Sequence, residues 1–387
     1  MKKRIMSYLL TGALLTAMLA ACGNAGGNTG NSAASAADSA AQAQSSAPAP
    51  ADTSAPADTS APADTSAAAE TTAAEPEAPA AEPVTLRVAY MPNYAALWAV
   101  TTAREKGFLE EEGITVELTE FADGPTEIAA MESGSIDVSY IGPGAHRLCS
   151  TGNAQVFLIQ SLGDADCVIG FKSKGVEKLE DLKGKTVAYA SGTSSETILL
   201  MALESVGLTM DDIEAYDMEA SNMATAAISG SVDAVATWSP FSLTIMQEMG
   251  DDAVKFCSNV TFADKTVNPA SWVCTPAYAE ENADVLVRFI RAMYKAMDYG
   301  AQEANMEEVA GYVAAQTKGE QAAAYEQRGD GKWFTKSDVV STAKDGTMVG
   351  YYKLQQDNFI ANEVVEAESA IPPEDFVLTD LMIQAGE

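Results

Sequence analysis

Residues 84–387 carry two kinds of hydrophobic pattern. Short apolar runs, several of them alternating with period two, predict β-strands, and longer runs with apolar residues three and four positions apart predict α-helices. The predicted strands are 86–90, 114–118, 136–140, 156–160, 168–171, 186–189 and 234–237. The predicted helices are 95–106, 126–133, 194–206 and 222–229, and the chain from Tyr278 onward is mainly helical.

The order of these elements predicts the fold class. Strands and helices alternate, which indicates an α/β fold with mostly parallel sheets covered by helices on both faces. The β-α-β alternation occurs twice, and the roughly 300 residues after position 83 suffice for two lobes. We therefore expect two similar α/β lobes rather than one large sheet.

A segment of different composition, residues 22–83, precedes the folded part. After Cys22 it consists mostly of Ala, Ser, Thr, Pro and Gly, and the hexad Ala-Pro-Ala-Asp-Thr-Ser occurs three times between Ala49 and Ser66. Such a segment buries too little apolar surface to offset the entropy lost on ordering, so we expect a disordered tether that proline keeps extended. A glycosylated stalk is also compatible with this composition.

The chain begins with the features of an export signal. Three cations at positions 2–4 precede an apolar run that is shorter than the ~20 residues needed to span a bilayer. Positions 19–22, Leu-Ala-Ala-Cys, provide small residues at a cut site and resemble the lipobox of bacterial lipoproteins. We predict that residues 1–21 are removed and that lipid on Cys22 anchors the chain to the extracytoplasmic face of the cell membrane. The alternative is an ordinary signal peptide with a chance cysteine.

Charge and cysteine content exclude several functions. The formal net charge is −32, which argues against nucleic acid as a partner because phosphate binding needs clustered cations. The four cysteines after Cys22 form no Cys-x-x-Cys pair, so neither a metal site nor a cofactor is predicted. Export permits disulfides, and disulfides and free buried thiols remain equal alternatives for Cys149, Cys167, Cys257 and Cys274.

Five segments match one protein family in order and spacing. They are Leu-Arg-Val-Ala-Tyr at 86–90, the segment 104–114 ending Glu-Glu-Glu-Gly-Ile, Gly-Ser-Ile-Asp at 134–137, Leu-Glu-Asp-Leu-Lys-Gly-Lys-Thr-Val-Ala at 179–188 and Gly-Ser-Val-Asp-Ala at 230–234. With them, residues 84–387 resemble the solute-binding proteins of ABC importers for taurine, aliphatic sulfonates and nitrate. Binders of thiamine-pyrimidine precursors belong to the same group.

The resemblance implies a periplasmic-binding-protein-like type II fold with a ligand between two α/β lobes. Hinge crossings are expected near 169–173 and 271–275, so that one lobe combines 84–170 with 276–387 and the other comprises 171–275. The implied partners are a small solute, a membrane permease and its ATPase. The chain itself is expected to be a monomer, and a sensory protein that passes its ligand state to a receptor would use the same cleft.

Ligands in open α/β sheets lie beyond the carboxyl ends of strands, where helix N-termini gather. This rule and the resemblance select the candidate ligand-binding residues Asn93, Tyr94, Trp98, Gly142, Pro143, Asp166, Gly192, Thr193, Ser194, Ser195, Asp233 and Trp238. Thr193 and Glu196 are spaced as a capping box, so the helix start at 193–195 could bind an anion or simply be capped. Trp98 could instead be buried on its helix and Trp238 packed between the lobes, and Asp233 could hold a ligand amine or brace the hinge region.

The sequence leaves the ligand open among several small molecules. A zwitterion such as taurine, another sulfonate, or an aromatic or heterocyclic compound suits a cleft with several aromatic candidates better than nitrate does. An enzyme of the same fold is disfavoured, because His146 is the single histidine and a serine-hydrolase elbow is missing. The predicted function is therefore capture and delivery of a small organic solute.

Overall fold

The computed structural model describes residues 82–387, so the predicted signal peptide, Cys22 and nearly all of the predicted tether lie outside the described residues. Its strands are β1 Val84–Tyr90, β2 Ile114–Glu120, β3 Val138–Ile141, β4 Gln155–Gly163, β5 Cys167–Phe171, β6 Thr186–Tyr189, β7 Glu214–Asp217, β8 Ala234–Thr237, β9 Ala253–Ser258, β10 Pro269–Cys274 and β11 Gly331–Trp333.

The α-helices lie between successive strands along the chain and make up most of its last third. They are α1 Tyr94–Glu105, α2 Phe108–Glu111, α3 Gly124–Glu132, α4 His146–Ser150, α5 Ser194–Ser205, α6 Ala220–Ile228, α7 Phe241–Met249, α8 Pro276–Glu281, α9 Ala283–Gly300, α10 Met306–Thr317, α11 Gln321–Glu326, α12 Lys336–Asp345, α13 Thr347–Ala361, α14 Pro373–Phe376 and α15 Thr379–Gly386.

The strands form two sheets with the same core order. The first sheet runs β11-β4-β10-β3-β1-β2 and the second β7-β6-β8-β5-β9. In the first, β1 is parallel to β2 and β3, while β10 is antiparallel to β3 and β4. In the second, β6 is parallel to β7 and β8, while β5 is antiparallel to β8 and β9. The predicted pair of similar α/β lobes is confirmed.

The sheets to which β5 and β10 belong place both crossings earlier in the chain than expected. β5 pairs with β8 and β9 in the second sheet, so the first crossing comprises residues 164–166 rather than 169–173. β10 pairs with β3 and β4 in the first sheet, so the second crossing lies before Pro269 rather than at 271–275. We call residues 82–163 with 269–387 the large lobe and residues 167–258 the small lobe.

Apolar packing differs between the lobes. In the large lobe one continuous core joins the first sheet to α1 and to the C-terminal helices, with α9 burying Leu286, Phe289 and Ile290 completely. The small lobe has a separate core on each face of its sheet, one against α6 and α7 and the other against α5. At ~25 cal/mol per Å² of buried apolar surface, these cores are the main stabilising contribution.

Several local features bear on the sequence-based expectations. Cys149, Cys167, Cys257 and Cys274 are buried and unpaired, so the described structure contains free thiols rather than disulfides at these positions. Within residues 82–387, no helix has the length and apolar content needed to cross a bilayer. The same residues contain no group of three or more His, Cys, Asp or Glu side chains arranged to hold a metal ion.

Candidate functional site

A cleft lies between the lobes, where the carboxyl ends of strands from both sheets meet. Its volume, counted as space open to the centre of a water molecule, is about 70 Å³. The large lobe contributes Met91, Asn93, Ala95, Asp123, Gly124, Pro125, Tyr140, Gly142, Pro143, Gly144, Ala145, Ser161, Gly163, Ala270, Gln327, Asp330 and Trp333. Ala165 and Asp166 in the first crossing, with Thr193, Ser194, Trp238 and Ser239, complete the wall.

The lobes touch directly beside this cleft. A Cβ added to Gly144 of the large lobe would lie 2.1 Å from the Ser194 backbone nitrogen and 2.2 Å from the Thr193 carbonyl carbon. Arg147 reaches across the same contact, where its Nε donates a hydrogen bond of 3.2 Å to the Gly192 carbonyl oxygen. The described structure is therefore a closed form, and only glycine at 144 permits this approach.

The start of α5 forms the small lobe's part of the cleft. Thr193 is the N-cap and accepts a hydrogen bond from the Ser195 N–H. Glu196 accepts from the Gly192 N–H at 2.8 Å instead of from the Thr193 N–H, so the capping box predicted from the spacing takes a modified form. At this helix start the Gly192 and Ser195 N–H groups are therefore used within the protein.

Asp166 lies against this helix start. Its carboxylate accepts hydrogen bonds from Ser194 Oγ at 2.5 Å and from Asn259 Nδ2 at 3.0 Å. Burial raises the pKa of Asp166 to about 6, although these two hydrogen bonds act to lower it. The place where a helix N-terminus would attract a ligand anion is therefore next to a carboxylate supplied by the chain itself.

Asp330 is a second carboxylate in the wall, on the large lobe. Burial raises its pKa to about 6, and the neighbouring Asp164 and Asp166 add to the rise, while Ser239 and Lys255 oppose it. The Asp330 carbonyl oxygen also accepts a hydrogen bond of 2.6 Å from the Asp164 N–H, which ties this segment to the first crossing. Asp166 in the first crossing and Asp330 on the large lobe therefore both contribute acidic groups to the wall of the cleft.

Aromatic rings form much of the remaining wall. Trp333 lies on the large lobe, and its ring is held edge-on against Tyr94 and Trp98 at centroid distances of 5.3 and 5.7 Å. Trp238 lies on the small lobe and is 7% exposed. Tyr140 is 1% exposed, and its hydroxyl is among the buried polar atoms with no hydrogen-bond partner among the described residues.

Seven of the predicted ligand-binding residues line the cleft, and the structure brings them together from five separate segments of the chain. They are Asn93, Gly142, Pro143, Asp166, Thr193, Ser194 and Trp238. Asn93 is also the N-cap of α1, where its Oδ1 accepts from the Ala96 N–H at 2.9 Å. Whether these residues contact a ligand remains a prediction.

The other five predicted residues lie outside the wall. Tyr94 and Trp98 are buried behind Trp333, and Gly192 meets Arg147. Ser195 is fully buried, with its Oγ donating to the Ala236 carbonyl oxygen at 2.7 Å. Asp233 precedes β8 and accepts from the Thr186 N–H at 3.0 Å, so it lies at the amino end of its strand, away from the cleft.

Several lining residues were not predicted from the sequence. The most informative are Ser161, Gln327, Asp330 and Trp333, three of which come from the helical last third of the chain. Gln327 accepts a hydrogen bond from the Tyr94 N–H at 3.0 Å, and β11, which carries Trp333, pairs with β4. A three-residue strand between helices has no periodic signal, so composition alone could not place it at the cleft.

His146 supports no catalytic role in this geometry. It begins α4, it is 1% exposed, and neither ring nitrogen has a hydrogen-bond partner among the described residues. Burial lowers the pKa of His146 to about 3, so the ring is neutral at physiological pH. It packs edge-on against Tyr352 rather than facing the cleft.

Known proteins share this architecture. A family model described as NMT1/THI5 like matches residues 95–305, which is more than half of the chain. The chain belongs to the NMT1/THI5-like family. Among sequence relatives of this family member, a binding protein of Brucella abortus (strain 2308) is 30% identical over 305 residues, covering 79% of this chain and 93% of the relative. An aliphatic sulfonates-binding protein of Bacillus subtilis (strain 168) is 29% identical over 216 residues, covering 54% and 63%.

Solved structures agree on the fold of this family member. The alkanesulfonate-binding protein SsuA from Xanthomonas axonopodis pv. citri, bound to MOPS, is similar with a TM-score of 0.59 and 19% identity, over 77% of this chain and 99% of that chain. The predicted periplasmic-binding-protein-like type II fold is confirmed. The desulfurization enzyme DSZB is also similar, with a TM-score of 0.56 and 15% identity, over 78% and 98%. The fold alone therefore does not separate binding proteins from enzymes.

Proposed function

We propose that this protein is the extracytoplasmic solute-binding component of an ABC importer, and not an enzyme. The observation that supports the proposal is the cleft between the lobes. Its wall comes from both lobes, and the lobes meet beside it at Gly144 and Ser194. Closure around a solute buries it and creates a shape that a permease can distinguish from the open form. The permease and its ATPase are the proposed partners, and the proposed unit is a monomer.

The solute is a small organic molecule. Taurine-like or sulfonate-like compounds remain the first candidates because relatives of this chain are named for aliphatic sulfonates and taurine. A thiamine-pyrimidine precursor or another aromatic compound is the second candidate, and the indoles of Trp238 and Trp333 in the wall support it.

Isothermal titration calorimetry of the purified protein tests this function. Taurine, short alkanesulfonates, aminopyrimidines and nitrate are titrated separately, and we expect saturable binding by a member of the first three sets with one site per chain. Small-angle X-ray scattering should show a more compact particle with the bound solute, since the hinge closes. Binding without compaction, or turnover of the solute, would contradict a capture role.

We further propose that Cys22 carries the lipid anchor and that residues 22–83 act as a flexible lead. A tethered binding protein stays at high local concentration near its permease, which compensates for a weak docking contact. Cys22→Ala should move the protein from the membrane fraction to the soluble fraction of its host, as followed by immunoblot. Cys149→Ala is the matched control, because it removes a buried thiol in the large lobe and should leave the protein on membranes. A Cys22→Ala protein that stays on membranes would refute the anchor.

A further inference from the structure

The charged side chains in the cleft wall all have one sign. Asp123, Asp166 and Asp330 line it, and within the described residues no Lys, Arg or His does so. Arg147, close by, uses its Nε on the Gly192 carbonyl oxygen. A sulfonate or nitrate entering this space would meet carboxylates without a compensating cation, and desolvating an unpaired anion is costly.

The helix starts beside the cleft are capped by side chains of the chain itself. Asn93 Oδ1 caps α1, and Gln327 Oε1 accepts from the Tyr94 N–H at the same helix start. Asp123 Oδ1 accepts from the Thr126 N–H and caps α3. At α5, Thr193 caps the helix and the Asp166 carboxylate lies against Ser194. Each cap uses part of the N–H donors of its helix start, and at α5 the carboxylate adds negative charge where an anion would approach.

The two carboxylates at the crossing lack a nearby buried cation. Asp166 is 3% exposed, and the charged groups that face it are Asp164 and Lys255. Asp330 faces Asp164, Asp166 and Lys255, and Lys255 is itself exposed on β9. Burial, which is the largest cause, and the negative charge of Asp164 raise the pKa of each carboxyl to about 6. A positive group between them would relieve both effects.

The rest of the wall fits the same kind of ligand. Trp333, Trp238 and Tyr140 present aromatic faces or edges from both lobes, and indole faces attract cations. The unpaired hydroxyl of Tyr140, buried in the wall, is a second polar group that a ligand would satisfy.

We infer that the cleft recognises the protonated nitrogen of a small organic cation or zwitterion, held between Asp166 and Asp330, and that it binds such a solute more tightly than a purely anionic sulfonate or nitrate. This inference rests on the proposed capture function and names the charge that the same site selects. A zwitterion enters through its ammonium end, and its anionic end is tolerated rather than sought.

The first test sorts candidate solutes by their charge. Yeast extract is separated by ion exchange into cationic (including zwitterions retained at acidic pH), anionic and neutral fractions, and each is added to the purified protein in a thermal unfolding assay. We expect the cationic fraction to raise the midpoint by several degrees, as saturating ligand does. Stabilisation by the anionic or neutral fraction alone would overturn the inference and leave the capture function standing. No stabilisation by any fraction would count against the capture function itself.

The second test uses variants and pH on a compound purified from the active fraction. Asp330→Asn should weaken its binding about 10- to 100-fold, the effect of losing one charged hydrogen-bonding partner. Asp211→Asn, an equal charge change at an exposed position on the small lobe, is the control and should not change the affinity. Circular dichroism checks that both variants are folded.

The sign of the pH dependence gives an independent readout. Affinity for a cation should fall roughly tenfold or more between pH 7 and pH 5 as the two carboxyls gain protons, and Asp166→Asn with Asp330→Asn should remove this dependence. Affinity that rises as pH falls would show that an anion binds beside these carboxylates, and it would overturn the inference.

Discussion

The two lobes share a strand order but contribute different chemistry to the cleft. In both sheets the order of the five common strands is equivalent, β2-β1-β3-β10-β4 and β7-β6-β8-β5-β9, with the strand that follows a crossing in the fourth place. The large lobe supplies most of the wall, including Asp330 and Trp333, whereas the small lobe supplies the start of α5, Trp238 and Ser239.

This difference comes from the helical last third of the chain. The segment from α11 to β11 attaches to the large lobe through β4 and brings Gln327, Asp330 and Trp333 to the cleft. Within the described residues the small lobe has no such addition. The two lobes therefore have similar sheets, and the difference between their cleft walls comes from the α11–β11 segment of the large lobe. On the proposed capture function, we expect the large lobe to make most contacts with the solute and the small lobe to close over it.

The largest effect is expected from a variant that prevents the two lobes from coming into contact. Gly144→Val places side-chain atoms where the Ser194 and Thr193 backbones lie, so the closed form becomes inaccessible. We expect solute affinity to fall by at least ~100-fold, about 2.8 kcal/mol. Since the three atoms nearest to the added Cβ all belong to Thr193 and Ser194 of the small lobe, which an open hinge would move away, we expect the unfolding midpoint without solute to change little. Calorimetry and thermal unfolding measure the two quantities.

Gly350→Ala is the control, at an exposed position on α13. A Cβ at Gly350 would have no atom within 4 Å, so this variant should still become compact with solute in small-angle scattering. Normal compaction of Gly144→Val would show that the lobes close by a different contact.

A second prediction concerns the carboxylates of Asp166 and Asp330 in the cleft wall. Their pKa values of about 6 lie above the ~3.9 of an unfolded aspartate, so each stabilises the fold below pH 4 by roughly 2–3 kcal/mol, and this is lost as pH rises through 6. Without solute, Asp166→Asn with Asp330→Asn should therefore unfold several degrees above the native protein at pH 7.5 and no higher at pH 4.

Asp211→Asn, with its exposed side chain, should show no such pH-dependent gain. Glu127, whose pKa burial raises, and His146, whose pKa burial lowers, are present in all three proteins and cancel in the comparison. Equal midpoints of the double variant and the native protein at pH 7.5 would refute the raised pKa values.

The smallest effect is expected at the contact that the large lobe makes with the small one. Arg147→Ala removes the hydrogen bond to the Gly192 carbonyl oxygen, worth about 0.5–1.5 kcal/mol, so solute should bind about 2- to 10-fold more weakly and leave faster. Arg104→Ala is its counterpart, because Arg104 contacts only Glu105 and Gln316 within the large lobe. Stopped-flow fluorescence gives both release rates, and equal rates would contradict a closing role for Arg147.

Much of the fold followed from periodicity. The strand predicted at 186–189 and the helix at 194–206 agree with β6 and α5 to within one residue, because strong apolar patterns specify local structure. Periodicity could not predict which lobe contains β5, since its apolar run suits either sheet. Only pairing with β8 and β9 decides it, and pairing is a property of distant parts of the chain.

The site was predictable where a strand ended beside it. The carboxyl-end rule located Asn93, Gly142, Thr193 and Trp238, all of which line the cleft. It could not locate Asp330 or Trp333, because a turn between helices reaches the cleft only through tertiary packing. Asp233 was selected by resemblance, and it lies at the wrong end of its strand for the cleft.

The way in which the two acids are attached has a mechanical consequence. Asp166 is hydrogen-bonded to Ser194 and Asn259 beside the start of α5, while Asp330 belongs to the large lobe. In an empty cleft we expect the two deprotonated carboxylates to favour an open hinge, because like charges repel. If a cation binds between them as proposed, it would hold the lobes together, and the permease would release it by moving the two carboxylates apart.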